Sequence, residues 1–246
     1  MFRILTYNVH RCVGLDRRLD VGRVADVIAA EKPDIVALQE VDVGRARTGG
    51  VDQAHDLAKR LGMKSRFNAA LRVEEEQYGD AVLTARPESL VKAGPLPGYA
   101  RMPRLEPRGA LWVAIDLGSR RPLQVINTHL GLVPREQQIQ AAALAGEAWI
   151  GSKKCDDPLI LLGDFNATQR TVVHRLLAAH LTDAHALRPD RRPRVATFPA
   201  TMPMLRIDHV FVSRGVKVIA LRPAATPLAR LASDHLPLVM DFEIEG

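Results

Sequence analysis

Apolar residues along this chain gather into short runs that stop abruptly at polar residues, with longer stretches of helical spacing between them. The runs at residues 2–9, 35–38, 81–84, 110–117, 123–128, 159–162, 207–212 and 236–244 are bounded by Gly, Pro or Asp, as buried strands are. Val21, Val24, Ala25, Ile28 and Ala29 form one helical stripe, and Leu57, Ala58 and Leu61 a shorter one before Gly62. The longest helix is expected from Pro134, a favourable first-turn residue, to about Ile150 before Gly151, and another over 172–179. Segments 94–107 and 187–195 read as exposed loops. Strands and helices alternate in both halves with no long linker, so residues 1–246 are expected to form a single domain. The pattern alone allows a doubly wound single sheet or two stacked mixed sheets with helices outside.

Polar residues at the ends of these runs carry the chemistry. Gly163-Asp164-Phe165-Asn166-Ala167 follows one run, and Ser233-Asp234-His235 precedes another. Tyr7-Asn8-Val9 ends the first strand, Gln39-Glu40-Val41 the second, and Asn127-Thr128-His129 the run from Leu123; Arg206-Ile207-Asp208 opens the run before the last. Acidic and imidazole groups at strand ends tend to meet in one cleft. Such a cleft suits metal-assisted attack on phosphorus, which needs a cation, an activated water and a proton-handling group. Glu40 offers the oxygen that hard divalent cations prefer, and Asn8 a neutral amide oxygen beside it. Asp164 and Asn166, two apart on an extended segment, point to one side.

The composition leaves this reading standing and adds a little. No window approaches the roughly 18 apolar residues of a membrane span. Cys12 and Cys155 are too far apart in sequence to suggest a zinc motif or a disulfide framework, and no signal-peptide pattern opens the chain, so a cytoplasmic location is expected. A net charge of +6 leans towards an anionic partner. Of 34 basic residues 27 are arginine, which suits phosphate contacts but also follows from a G+C-rich gene.

Taken in order, the six segments resemble the endonuclease/exonuclease/phosphatase superfamily over residues 2–242. The resemblance implies a four-layer α/β sandwich of two stacked mixed β-sheets flanked by helices. It implies a hydrolase of phosphate esters using Mg²⁺ or Mn²⁺. On it, Asn8, Glu40 and Asp234 belong to the metal side, and Asp164 deprotonates the attacking water or ligates a second ion. Asn166 donates to a phosphoryl oxygen, and His235, oriented by Asp208, stabilises the phosphorane or transfers a proton. His129 is a second imidazole near the phosphate, suited to protonating the leaving oxygen, with Asn127 and Arg108 assigned to substrate binding. Asp80 stands where many relatives have Asn, which leaves its role open. His10, His55, His174, His180, His185 and His209 carry no expected role.

The substrate is less constrained. The Asn-Thr-His segment argues against the abasic-site endonucleases. The absence of a Trp before Gly163 and of a Cys-Asp-Arg segment near Asp208 argues against the inositol phosphatases. The chain is closer to the deoxyribonuclease and sphingomyelinase side, and Thr197-Phe198-Pro199 is similar to small stand-alone bacterial members. Diesters are favoured over monoesters. Nucleic acid is the leading class, with Arg45, Arg47, Arg101, Arg104, Arg191, Arg192 and Arg194 as backbone contacts. Lipid headgroups or small phosphate esters are the alternative, and a catalytically silent binding protein ranks last.

Overall fold

The computed structural model describes residues 1–155, 157–189 and 195–245. Among them, β1 (Phe2–Asn8), β2 (Ile35–Val43), β3 (Lys64–Val73), β4 (Glu76–Thr84), β11 (Val216–Pro223) and β12 (Leu238–Ile244) form one sheet. Its spatial order is β11-β12-β1-β2-β4-β3. The second sheet holds β5 (Glu88–Pro95), β6 (Gly109–Ile115), β7 (Leu123–His129), β8 (Leu159–Asp164), β9 (Thr182–Asp183) and β10 (Asp208–Val212), in the order β5-β6-β7-β8-β10-β9. Helices α1 (Val21–Glu31), α2 (Gln53–Leu61) and α5 (Pro227–Ala232) cover the first sheet; α3 (Pro134–Ala145) and α4 (Val172–Ala178) cover the second. This is the four-layer sandwich, and the doubly wound single sheet is ruled out.

Each layer boundary is an apolar core. Between the sheets, Ile4, Ile35, Val82 and Met240 meet Leu111, Val125, Leu162 and Val210. Outside the first sheet Val24, Ile28, Leu57 and Ala229 pack down onto Leu5, Val36 and Leu83. Outside the second, Leu144, Val173 and Leu177 cover Trp112, Ile126, Leu161 and Phe211. Central strands are therefore buried on both faces, which is why they read as unbroken apolar runs.

The pattern missed β3, β5, β9 and β11, which are the four edges of the two sheets. β3, β5 and β11 carry Lys64, Arg66, Glu88, Lys92, Lys217 and Arg222, charges that blunt an edge against pairing with another chain, and β9 is only two residues long. The longest helix also ends early: α3 stops at Ala145, and Gly146 turns the chain so that Trp149 donates back to its carbonyl. Of the loop expected over 187–195, residues 190–194 lie outside the described residues.

Topology places the site. The only parallel pairings among the described strands are β1 with β2 and β7 with β8, at the centre of each sheet. Both pairs point their carboxyl ends the same way, where open α/β sheets bind ligands. β10 runs antiparallel to β8 with Asp208 opposite Asp164, and the segment before β12 returns beside the end of β1.

Candidate active site

Local backbone choices aim the side chains. Gly163 has φ +143°, and a Cβ there would stand 1.9 Å from the Thr128 carbonyl oxygen, so glycine is required for β8 to pass β7 this closely. The β2–β4 register slips between Leu38 and Val41, and within that bulge Glu40 adopts φ +59°. Bulges re-aim side chains, and a left-handed glutamate is a conformation the surroundings must hold in place. Asn166 is left-handed too, at φ +48°, with its N–H donating to Asp164 Oδ1 (2.8 Å). The chain bends at Asp234 and His235 rather than running extended, so these neighbours share the cleft. Ser233 fixes the bend: its Oγ donates to the Asn8 carbonyl (2.7 Å) and accepts from His235 N–H (3.2 Å).

Asp164 is the hub. The Asn8 amide nitrogen donates to Asp164 Oδ2 and to Glu40 Oε1, both at 3.0 Å. The Asn8 oxygen accepts from His10 N–H, so the nitrogen faces the carboxylates where the sequence suggested the oxygen. Two facing acceptors explain that orientation. Two imidazoles approach the same Oδ2, His129 Nε2 at 3.5 Å and His235 Nε2 at 3.6 Å. His235 Nδ1 donates to Asp208 Oδ2 (2.9 Å), which also accepts from Thr197 Oγ1, and the Phe198 ring packs against the imidazole at 4.9 Å. On the other side Arg108 Nη1 donates to His129 Nδ1 (3.0 Å) and is itself paired with Glu106. A guanidinium has no lone pair, so His129 Nδ1 must accept and the ring proton sits on Nε2. That proton faces Asp164 and crowds the Asn166 amide nitrogen, 3.1 Å away, which also donates to the Leu130 carbonyl.

Burial and neighbours split the protonation states. Burial acts against charge on His235, but Asp208 and Asp164 outweigh it and raise the ring to about 10. Burial, reinforced by Arg108 and then by His235, holds His129 well below its ordinary value. A neutral His129 donates a hydrogen bond but does not carry the extra proton expected of it for the leaving oxygen. Burial also raises Asp164 above the usual carboxylate range, against the pull of His235 and the Asn8 amide. Asp80 is buried nearby; burial pushes it well above that range, and Arg108 opposes the shift.

Glu40, Arg108, His129, Asp164, Asn166, Asp234 and His235 line one cleft of about 560 Å³. His10 joins them, although nothing in the sequence assigned it a role. Asn127 does not line the cleft. It is fully buried, donates to the carbonyls of Leu38 (2.9 Å) and Ala81 (3.0 Å), and accepts from Gln39 Nε2 (2.7 Å). Reaching from β7 to β2 and β4, it bolts one sheet to the other directly behind the Glu40 bulge. Gln39 completes that bolt through Thr6 Oγ1 (3.0 Å), a role its neighbour Glu40 obscured in the sequence. Two arginines expected on a nucleic-acid backbone are held internally, Arg45 by Glu76 and Arg47 by Asp42. Arg191, Arg192 and Arg194 lie outside the described residues.

Residues 5–235 match the sequence profile of the Endonuclease/Exonuclease/phosphatase family. The chain belongs to this family. Its members are hydrolases of phosphoesters and include phosphodiesterases, nucleases and phosphatases. The Escherichia coli protein YbhP is 28% identical over 255 residues, covering 99% of this chain and 96% of that protein. An endonuclease/exonuclease/phosphatase from Beutenbergia cavernae superposes with a TM-score of 0.81 at 25% identity, over 100% of this chain and 72% of that one. A mannosyl-6-phosphatase from Bacteroides thetaiotaomicron shares the fold at a TM-score of 0.79 and 18% identity, over 99% and 100% of the two chains.

The family generally uses a divalent metal, and the residues here fit one. Glu40 and Asp164 each present a carboxylate oxygen to the same amide nitrogen, so two hard oxygen donors face one small volume. Asp164 and Asp208 bring carboxylate oxygens within 4.8 Å of one another, and Asp208 Oδ1 is a buried acceptor with no partner.

Proposed function

We propose that the chain hydrolyses phosphodiesters by direct attack of water, with Asp164 as the general base. The observation that carries this reading is the single oxygen, Asp164 Oδ2, met by the Asn8 amide and by two imidazoles, one raised and one lowered by its surroundings. A buried carboxylate raised above its usual range is better matched to accept a water proton near neutrality. Glu40 and Asp234 would hold a Mg²⁺ or Mn²⁺ ion, with the Asn8 amide nitrogen steadying Glu40 in place of the oxygen ligand the sequence suggested, and the ion would supply Lewis-acid stabilisation of the phosphoryl oxygens. His235, kept charged by Asp208, stabilises the negative charge that develops on those oxygens. His129 Nε2–H and the Asn166 amide are two donors crowded at 3.1 Å, and a phosphoryl oxygen seated between them gives both an acceptor.

Charge supports a diester over a monoester. Glu40, Glu106, Asp164 and Asp234 line the cleft against Arg11, Arg47, Arg108 and the charged His235, and Arg47 and Arg108 are already paired with carboxylates. With no surplus of free positive side-chain charge, such a lining suits a singly charged phosphate better than a dianion. Nucleic acid remains the leading diester on net charge, with Arg101 and Arg104 on an exposed loop. One observation favours lipid headgroups as the second reading: Leu132 (72% exposed) and Leu205 line the cleft mouth, with Met202 and Met204 exposed beside Leu205. An apolar rim suits a phosphodiester presented at a membrane surface.

The test is hydrolysis of a chromogenic diester and its matching monoester with Mg²⁺, Mn²⁺ or chelator, alongside Asp164→Asn and His235→Ala. Metal-dependent diester cleavage lost in both variants supports the proposal. Preference for the monoester, or cleavage that survives Asp164→Asn, overturns it. Release of headgroups from vesicles in preference to DNA cleavage would select the second reading.

A further inference from the structure

Asp208 and His209 are neighbours on β10, so they face opposite sides of the second sheet. Asp208 faces His235 behind the cleft, while His209 and Phe211 face the helix layer under α4. The β9–β10 register sets Asp183 opposite Phe211 on that same face. His174 descends from α4 onto the group, its ring 5.2 Å from Phe211 and 5.5 Å from His209. Nothing in the phosphoesterase reading uses these residues.

We propose that His174, Asp183 and His209 form a second site, distinct from the catalytic cleft, for a divalent transition-metal ion of the Zn²⁺ type. One ligand-capable atom from each lies within 4.8 Å of the others. Two imidazoles and a carboxylate are the donor set that borderline ions take in preference to Mg²⁺. A separate observation points the same way. His209 Nε2 donates to the Ala167 carbonyl (2.8 Å), and a carbonyl only accepts, so the lone pair is left on Nδ1. That Nδ1 is buried and has no hydrogen-bond partner. Buried polar atoms are nearly always satisfied, and an orphaned acceptor of this kind calls for an explanation. A ligating histidine whose other nitrogen donates to a backbone carbonyl is the usual arrangement around such ions.

The remaining partners are compatible. Asp183 Oδ2 takes His174 Nε2 at 2.8 Å; ion binding replaces that proton and moves the ring hydrogen to Nδ1. Arg206 Nη1 lies 3.0 Å from Asp183 Oδ1 and 2.8 Å from Oδ2, and the His185 N–H donates to Oδ1 (3.0 Å). These contacts fix the orientation of the carboxylate, with Oδ2 turned to His174, and the ion would share that oxygen with the guanidinium. The His174 side chain keeps 17% of its surface exposed, which gives an ion a route in. Through His209 and the Ala167 carbonyl, the ion would brace the segment that carries Asp164 and Asn166.

The experiment uses Co²⁺ as a spectroscopic probe for the Zn²⁺-type ion. It is run in a Glu40→Gln, Asp164→Asn background that disables the catalytic site whatever its function. The expected result is one bound equivalent with a visible d–d band, displaced by Zn²⁺, together with a Zn²⁺-dependent rise in Tm. Adding His174→Leu, which keeps the packing against Phe211, should remove that equivalent and its band. His209→Ala should do the same, and if it fails to fold, His174→Leu alone decides. Absence of the band in the folded background protein, or its persistence after His174→Leu, would overturn the proposal.

Discussion

His129 and His235 stand on either side of one carboxylate oxygen at almost equal distances, yet the protein treats them oppositely. His235 has an acidic partner on its far nitrogen and is raised to about 10. His129 has a guanidinium in the corresponding place and is held neutral by burial and that charge. Residue type and burial are shared, so the far-side partner sets the role. The split gives Asp164 one charged neighbour that stabilises anions and one neutral neighbour that donates without titrating. Environments that push paired groups apart are how a site obtains two functions from one side chain.

The largest effect should come from removing what the two rings share. Asp164→Asn is expected to lower kcat on a diester by about 10³-fold, within the range of a lost general base. Next is the partner of the charged ring. Asp208→Asn should cost about 10²-fold in kcat and about 3 kcal/mol in a denaturant titration, because a buried charge loses its partner. Its alkaline limb should also move to lower pH. The sign follows from linkage: His235 is raised in the fold, so its stabilisation is complete below about 6.5, the unfolded value, and is lost as pH rises through about 10. Denaturation midpoints between pH 7 and 11 should fall in the wild type and flatten in His235→Gln.

Smaller effects belong to the neutral ring. Arg108→Met should reduce kcat by about tenfold, the worth of one charged hydrogen bond, and should raise the His129 pKa as read by NMR titration. If His129 stays neutral in that variant, burial alone sets its state and the far-side partner does not. Asn127→Ala should touch catalysis least. It removes the side-chain donor from two carbonyls between the sheets and one of the acceptors of the Gln39 amide, so about 2–3 kcal/mol of stability should go while kcat changes little.

The same contrast between shared type and local partner explains what was readable in the sequence. Central strands are buried on both faces and announce themselves as apolar runs. The edges β3, β5, β9 and β11 carry charge on a wet face, or are two residues long, and leave no such run. The cleft residues were legible because strand ends deliver them and a family pattern orders them. Partner choice was not. Nothing in sequence spacing tells that Arg108 lies on His129, or that Asn127 crosses to Leu38 and Ala81, since both depend on how two sheets stack. His209, beside Asp208 on an extended strand, faces away from the cleft, and what lies on that opposite face depends on the register of β9 and the descent of α4.

The most direct measurement is the side-chain ¹⁵N–¹H NMR spectrum of the histidines at pH 7.5 in chelator, assigned through His129→Gln and His235→Gln. The account predicts His235 protonated on both nitrogens and His129 neutral with its proton on Nε2. Two neutral rings, or a charged His129 beside a neutral His235, would contradict it.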